Sequence, residues 1–427
     1  MIDDLQLIPS AVESLRAIKE KRPFTWDELH GFVPNVLNDI DLASGPCVSQ
    51  SRLRLFGNPK ESIRVTLYRD VHAWCPYCQK VWIWLEEKKI PYQVEKISMA
   101  CYGQKETWYK KLVPNGMMPA LKIDEHLYVE SDDILEALET EFGVLTVSLN
   151  DPEALVLRQL ERELFAQWCR WLCQPSRSKI DEKNRGASFK RVLSLVDDKL
   201  GTRNTGFFMD EFSSIDCCFL PFIERMAASL FYYKGFKVRD GEFKNISRWF
   251  DLLEERPAYR GTQSDFHTHC HDLPPQMGGC FETNEPEQMK CKNLVNGGPY
   301  FSVPDCHIKA PVDSSQLCLA RVIRHKNSIM KQNPHRSGNI DEAFRCAMTF
   351  MITGVLILPP LDTASSLRYI RDRCCVPRDM SLHAARHFRH ALDECARVLS
   401  SESGIPIPIK HRRDQEPFAF TLAKQES

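Results

Sequence analysis

The stretch Ala73–Tyr92 reads AWCPYCQKVWIWLEEKKIPY. Cys75 and Cys78 flank Pro76–Tyr77, and Val81, Trp82 and Leu85 follow at helical spacing. Just upstream, IRVTLYRD (63–70) alternates Val65 and Leu67 with polar neighbours, which is the period of a strand. A CxxC at a strand-to-helix junction has three readings: half of a zinc site, a structural disulfide, or a thiol placed for chemistry. Structural zinc takes four ligands, commonly from two such pairs, and the chain holds no second CxxC. The helix N-terminus favours the third reading. It carries about half a unit of positive charge and free N–H groups, both of which stabilise a thiolate. Pro76 suits the first helical turn, where its missing N–H costs nothing. Cys75 is therefore the candidate nucleophile. Cys78, one turn later, either resolves a mixed disulfide or packs as a small apolar residue.

Composition agrees. The chain has 427 residues, 43% of them apolar and 26% charged, enough for two or three globular domains. Its 17 cysteines are an odd number scattered over a long chain, unlike a small secreted disulfide scaffold, so mostly free thiols in a reducing compartment are expected. A formal net charge of -1 gives no global field for nucleic acid or acidic membranes.

Outward from the CxxC the pattern continues. YQVEKISM (92–99) has strand character, KETWYKKL (105–112) is a short helix, and PALKID (119–124) and HLYVE (126–130) form a hairpin. SDDILEALETEFG (131–143) is a helix with Ser131 as expected N-cap and Gly143 as C-cap. The order is β-α-β-α-β-β-α. Pro119 opens a strand, where it removes a ladder donor, so a bulge, an edge or a cis bond is expected. With a cis bond, the Met118 backbone turns outward and can pair with an extended peptide. The Ser131 hydroxyl and the helix N–H groups make a carboxylate site, and Glu130 can take an ammonium. A small peptide with a free α-amino acid end, a thiol and an amide fits all three features: glutathione. Tyr77 either lies against its thiol or fills the turn.

These motifs resemble the glutathione transferase superfamily. The order strand, CPYC-helix, strand, helix, xP-strand, strand, ES-helix over about 63–143 is similar to its thioredoxin-like N-terminal domain. Residues 150–260, including Ser213-x-x-Asp216, are similar to its all-helical C-terminal domain. The Cys-Pro-aromatic run resembles the Cys-type members (omega, lambda and dehydroascorbate reductase). The resemblance implies Cys75 as catalytic cysteine, Lys105 as a glutathione contact, Met118 before Pro119 as the backbone contact, and Glu130 and Ser131 as binders of the γ-glutamyl end. Glutathione is then the cosubstrate, and small-molecule or protein mixed disulfides are the partners, with thiol transfer or dehydroascorbate-type reduction as the reaction. A homodimer is allowed. The chain departs from the usual members in its second cysteine, Cys78, and in its long extensions. HDLPPQMGGC and IRDRCCVPRDMSLHAARHFRHALD are similar to segments of the extended iota class of photosynthetic organisms.

The expected fold class is thus an α/β thioredoxin-like domain (63–144) followed by an all-α glutathione transferase C-terminal domain (150–261). An N-terminal extension (1–62), a Pro/Gly/His/Cys-rich loop or linker (262–320) and a mostly helical C-terminal extension (321–427) complete it. The first segment is read as one short helix near Thr25 and an otherwise irregular arm. HTHCH (His267, His269, Cys270, His271) would present alternate histidines on one face of an extended chain, but its spacing matches no metal signature, so ordinary surface histidines and no metal are expected. In 321–427, 17 Lys and Arg stand against 11 Asp and Glu, read as a solvated helical face. CAMTFMITGVLIL (346–358) is too short to span a membrane, which needs about 20 residues, and is read as a buried helix. MIDDLQLIPSAVESL has no signal-peptide pattern, which leaves a cytoplasmic protein, or a plastid one if the start is processed. The competing reading is a non-catalytic glutathione transferase fold that recruits partners through its extensions.

Overall fold

The computed structural model describes residues 21–38, 41–239, 241–335 and 338–401; the N-terminal stretch read above for targeting lies outside them. The chain divides into two compact units. One comprises Asp41–Val295 and Val303–Ile308; the other draws on the chain before Asp41, on Asn296–Ser302 and on the chain from Lys309 onward. The described chain opens with two short helices of the latter unit, α1 (Trp26–His30) and α2 (Asn35–Asn38). Thr25 and Glu28 form a reciprocal capping box at the start of α1, which satisfies two backbone donors of its first turn.

In the unit that begins at Asp41, β1 (Leu53–Arg54), β2 (Val65–Asp70), β3 (Tyr92–Ile97), β4 (Ala120–Ile123) and β5 (His126–Val129) form one sheet in the order β1-β3-β2-β4-β5. β2 and β3 are parallel, joined by α3 (Pro76–Lys88), and the other pairs are antiparallel. α4 (Thr107–Leu112) and α5 (Ser131–Phe142) complete the layer. This is the thioredoxin-like arrangement. Its edge strand β1 comes from the segment expected to be an irregular arm: two residues pair with Tyr92 and Gln93, too short a run to show a period. α3 is buried over Cys78–Glu86, and Lys89 ends it in the left-handed region (φ 55°). Trp74, Trp82 and Trp84 are core residues, and the Trp84 indole N–H donates to Ser214 Oγ at 3.0 Å.

Helices α6 (Pro152–Leu172), α7 (Lys179–Thr202), α8 (Ser214–Lys234), α9 (Lys244–Glu254) and α10 (Pro257–Thr262) build the helical layer. Leu157, Leu164, Trp168, Trp171 and Leu172 form the buried stripe of α6. α8 is buried on every side and is capped by Ser213 and Asp216. The Asp216 carboxylate accepts from the Ser213 N–H at 2.9 Å and from the Trp249 indole at 2.8 Å.

The segment 262–320 is not a loop or linker. It forms α11 (Phe266–Met277) and α12 (Pro286–Gly297), and α13 (Ser314–Lys331) begins before it ends. The apolar period is missing because α11 buries polar residues: His267, Thr268, His269 and Asp272. Each such group needs a partner to be buried without penalty. Asp272 accepts from the Tyr102 hydroxyl at 3.0 Å and faces His72 Nε2 at 2.8 Å, while His269 lies 3.2 Å from Glu224. His267 and His269 are therefore buried, His271 is half-buried, and all three lie on a helix instead of an extended chain. On the helix His267 and His271 pair one turn apart (ring centroids 4.5 Å), and His269 turns away from them.

In the other unit, α13, α14 (Ile340–Thr353), α15 (Ala364–Arg373) and α16 (Leu382–Arg397) form the helical body. α14 stops at Gly354 (φ 70°), so the buried helix read over 346–358 ends at Thr353, and Leu358 is exposed. Among the described residues, part of the basic excess is buried and not on a solvated face, while Arg324, Lys331 and Arg397 are exposed. Arg371, Arg378 and Arg389 are buried; Arg371 pairs with Asp372 (2.7 Å) and Asp393, Arg378 pairs with Asp379 (2.8 Å), and Arg389 donates to the Cys374 carbonyl (2.8 Å). Among the described residues no helix is long and apolar enough to cross a membrane.

Burial pushes the Asp216 carboxyl up from 3.8 to about 6, against the hydrogen bonds it accepts. The folded protein therefore holds this proton across an interval in which the unfolded chain has lost it. The stability this group contributes is full below about pH 4 and is lost as pH rises to about 6. We expect the stability difference between wild type and Asp216→Asn, measured by urea unfolding, to fall by roughly 2–3 kcal/mol from pH 4 to pH 7.

Candidate active site

β2 ends at Asp70, and a short turn carries the chain into α3. Asp70 is buried, and its Oδ2 accepts from the Trp74 N–H at 2.6 Å and from the Cys75 N–H at 3.2 Å. Ala73 takes a left-handed conformation (φ 55°) in this turn. The carboxylate thus fixes the approach of the chain to the helix and sets Cys75 as N-cap of α3. The Cys75 sulfur accepts from the Cys78 N–H at 3.4 Å, and Pro76 occupies the first turn. The Met118 carbonyl lies 3.9 Å from the same sulfur. The Met118–Pro119 peptide is cis.

Sheet register gathers the remaining candidates. Tyr68 pairs with Ala120, and Ala120 with Val129, so Asp70, Met118–Pro119 and Glu130–Ser131 share one end of the sheet. Ser131 is not the cap of α5. Glu130 holds that position at φ 66°, with no side-chain capping bond, and its side chain is exposed. Ser131 sits one residue later and is buried; its hydroxyl accepts from Lys80 at 3.3 Å. Lys80 also pairs with Asp132. Lys105 lies over Gly116 (φ 67°), within 3.2 Å of where a Cβ would stand. Burial lowers the Lys105 pKa, while the nearby Cys78, Cys75 and Asp70 pull it the other way. Tyr77 is half-buried and meets Phe222 edge-on (5.4 Å), with Arg162 as a hydrogen-bond partner. The ring thus does more than fill the turn.

The two cysteines are chemically unlike. Burial raises the Cys78 thiol well above its ordinary value, and Cys75 and Asp70 add to the effect. A thiol held protonated is a poor attacker. The two sulfurs and an Asp70 oxygen lie within 4.8 Å of one another, three buried donors where structural zinc takes four.

Sequence reasoning missed Asp70 and a second buried group behind the turn. Arg225 donates to the Trp74 carbonyl, to Gln79 Oε1 at 2.8 Å and to the Pro221 carbonyl at 2.6 Å, with its guanidinium over the Trp74 ring at 4.8 Å. Gln79 in turn donates to Glu224 at 2.9 Å. The signal was present: Glu224-Arg225 is an isolated charged pair in the otherwise apolar run of α8, and Asp70 is a charge at the end of a buried strand.

The unit thus combines a thioredoxin-like sheet and a helix-capping cysteine with an all-helical layer. Residues 74–141 match the model of the glutathione S-transferase N-terminal domain. The chain is 26% identical over 212 residues to glutathione S-transferase DHAR3, chloroplastic, of Arabidopsis thaliana, covering 48% of this chain and 75% of that protein. It is 26% identical over 196 residues to protein IN2-1 homolog A of Oryza sativa subsp. japonica, covering 45% and 77%. Among solved structures it resembles Chlamydomonas reinhardtii dehydroascorbate reductase (21% identity, TM-score 0.39, 47% of this chain and 93% of that one). It also resembles glutathione transferase Omega 3C of Trametes versicolor (26% identity, TM-score 0.41, 47% and 90%). Residues 74–141 thus match a glutathione S-transferase N-terminal domain, and the helix-capping residue within them is cysteine.

If Asp70 holds the turn as an acceptor, Asp70→Ala strands two buried N–H groups and should destabilise the protein by about 2–4 kcal/mol. Asp70→Asn keeps an acceptor and should lose less than half of that. Urea unfolding of the two variants is the check; equal losses would show that the charge, and not the acceptor, holds the turn.

Proposed function

We propose that the protein is a glutathione-dependent thiol transferase that works through a mixed disulfide on Cys75. The observation that carries this reading is the Cys75 sulfur: it caps α3, accepts the Cys78 N–H at 3.4 Å, and faces the Met118 carbonyl at the sheet end that also bears Glu130 and Ser131. The Cys75 thiolate attacks the glutathione sulfur of a mixed disulfide R–S–S–glutathione. The S–S bond of that mixed disulfide breaks, R–S⁻ leaves and takes a proton from solvent, and Cys75 retains glutathione. A second glutathione thiolate attacks that bond, releases glutathione disulfide and restores Cys75.

The site residues have separable parts in this cycle. The Met118 backbone and Lys105 bind the body of glutathione, Tyr77 lies along its thiol, and Glu130 and the start of α5 take its α-amino acid end. Reduction of dehydroascorbate shares only the second step: the Cys75 thiolate adds to a substrate carbonyl, a glutathione thiolate attacks the sulfur of that adduct and expels ascorbate with the bonding pair, and a second glutathione releases Cys75 from the resulting mixed disulfide. Conjugation of glutathione to electrophiles fits less well, because a cysteine here bonds to the glutathione sulfur instead of activating it.

Cys75→Ser should abolish turnover of hydroxyethyl disulfide with glutathione while leaving the fold intact by circular dichroism. Retained turnover would remove Cys75 from the reaction. The raised Cys78 pKa and its burial argue for free glutathione as the resolving thiol. Cys78→Ser should then keep turnover within about twofold, since a protonated thiol contributes little as a nucleophile. A variant that stalls as the Cys75–glutathione adduct in single turnover would establish a dithiol route.

A further inference from the structure

All seventeen cysteines are free thiols, and most are buried. Cys101, Cys169, Cys173 and Cys280 are half-buried. Cys169 lies in the last turn of α6, Cys173 is the C-cap of that helix, and Cys280 lies in the segment that follows α11. The Cys173 thiol interacts directly with those of both Cys169 and Cys280. We propose that Cys173 and Cys280 form a second thiol–disulfide centre, separate from Cys75, that takes oxidising equivalents from glutathione disulfide or another small disulfide, with Cys169 as the neighbour whose S–H supports the Cys173 thiolate.

Backbone geometry selects the pair. The Phe281 N–H donates to the Leu172 carbonyl at 2.9 Å, so the two chain segments run against each other one residue from each cysteine. That is the kind of close backbone approach a disulfide needs, with Cα atoms about 4.4–6.8 Å apart. Gly278 (φ 78°) and Gly279 (φ 139°) precede Cys280, and Cys173 has already left the helical conformation (φ -100°, ψ 4°). Both ends can therefore adjust. Cys169 cannot: it is held inside α6, where residues one turn apart carry nearly parallel Cα–Cβ bonds.

The charge environment supports the roles. Hydrogen bonds from Cys169 and Cys280, with help from the Lys234 charge, push Cys173 down to about 4. Cys169 and Cys280 are raised by the same contacts and keep their protons. Lys234 is anchored by Glu182 at 2.9 Å. Elsewhere in this unit Cys217 and Cys270 are fully buried and raised well above the ordinary value, so they are inert by comparison.

The chemistry balances. The Cys173 thiolate attacks glutathione disulfide, forms Cys173–S–S–glutathione and expels one glutathione thiolate. The contact with the Cys173 thiol is the largest cause of the raised Cys280 value, unlike the burial that holds the Cys78 proton, and it ends when Cys173 becomes the mixed disulfide. Cys280 then gives its proton to the leaving thiolate, attacks the Cys173 sulfur and expels the second glutathione, which is protonated from solvent. Two protein thiols lose two electrons, and one small disulfide becomes two thiols. The product ties the end of α6 to the exit of α11.

The test uses the full-length Cys75→Ser protein, so that the proposed active-site thiol is silent. It is incubated with glutathione disulfide, alkylated with iodoacetamide, digested and read by mass spectrometry. The expected product is one pair of peptides joined through Cys173 and Cys280, with Cys217 and Cys270 recovered as thiols that alkylate only on unfolding. Recovery of Cys173 and Cys280 both alkylated, or both as separate glutathione adducts, would overturn the centre. In the Cys280→Ser background, Cys173 should accumulate a glutathione adduct that added dithiothreitol removes; a Cys169–Cys173 link there would overturn the pairing. Labelling by iodoacetamide at pH 6 gives an independent readout, with Cys173 reacting about tenfold or more faster than Cys280. Equal rates would overturn the roles.

Discussion

The candidate active site depends on one buried carboxylate. Asp70 is the last residue of the central strand, and its Oδ2 takes the N–H groups of Trp74 and Cys75. Those two bonds define where the turn ends and the helix begins. Because Cys75 is then the N-cap, its sulfur, and not its backbone, meets the Cys78 N–H. Because β4 pairs antiparallel with the same strand, the cis-peptide residue Met118 arrives beside that sulfur. Moving the anchor would displace the thiol from the helix end and from the strand end together.

A second buried charge answers the first from behind. Arg225 holds the Trp74 carbonyl, so the same residue is fixed through its N–H by Asp70 and through its carbonyl by Arg225. Arg225 stands on α8, the helix most completely enclosed in the unit, and reaches Gln79 on α3. Buried charges are costly unless they find partners: Arg225 donates to Gln79, Gln79 donates to Glu224, and His269 lies 3.2 Å from Glu224, which links α3, α8 and α11. The thiol end of the thioredoxin-like layer is in this way locked to the helical layer by polar contacts as well as by apolar burial.

The cysteines divide by environment and not by number. Cys75 has an N–H donor and lies at the sheet end that bears Met118; Cys78, one turn along, is buried beside Cys75 and Asp70, and burial above all holds its proton. Cys173 shares its surroundings with two other thiols, and the proton distribution within that cluster sets one of them apart. A CxxC spacing alone predicts none of this, because reactivity follows local charge and solvation.

The thioredoxin-like core and the location of its candidate site are legible in local sequence patterns. Strand alternation over 63–70, the helix signature opened by Cys75-Pro76, the Met118-Pro119 junction and the Glu130-Ser131 helix start are local patterns, and each is read within a few residues. The apolar stripes of α6 and α8 are local in the same sense. Tertiary structure alone decided the rest. A two-residue edge strand at Leu53–Arg54 is too short to carry a period. α11 is a helix because His72, Tyr102 and Glu224, distant in the chain, satisfy its buried polar side chains. Arg371 of α15 is interior because Asp372 and Asp393 meet it there, and Arg389 of α16 donates to the Cys374 carbonyl. The Cys169–Cys173–Cys280 cluster joins residues more than a hundred positions apart. Hydrophobic periodicity records which face of an element is buried; it carries no record of which distant polar group will arrive to pair with it.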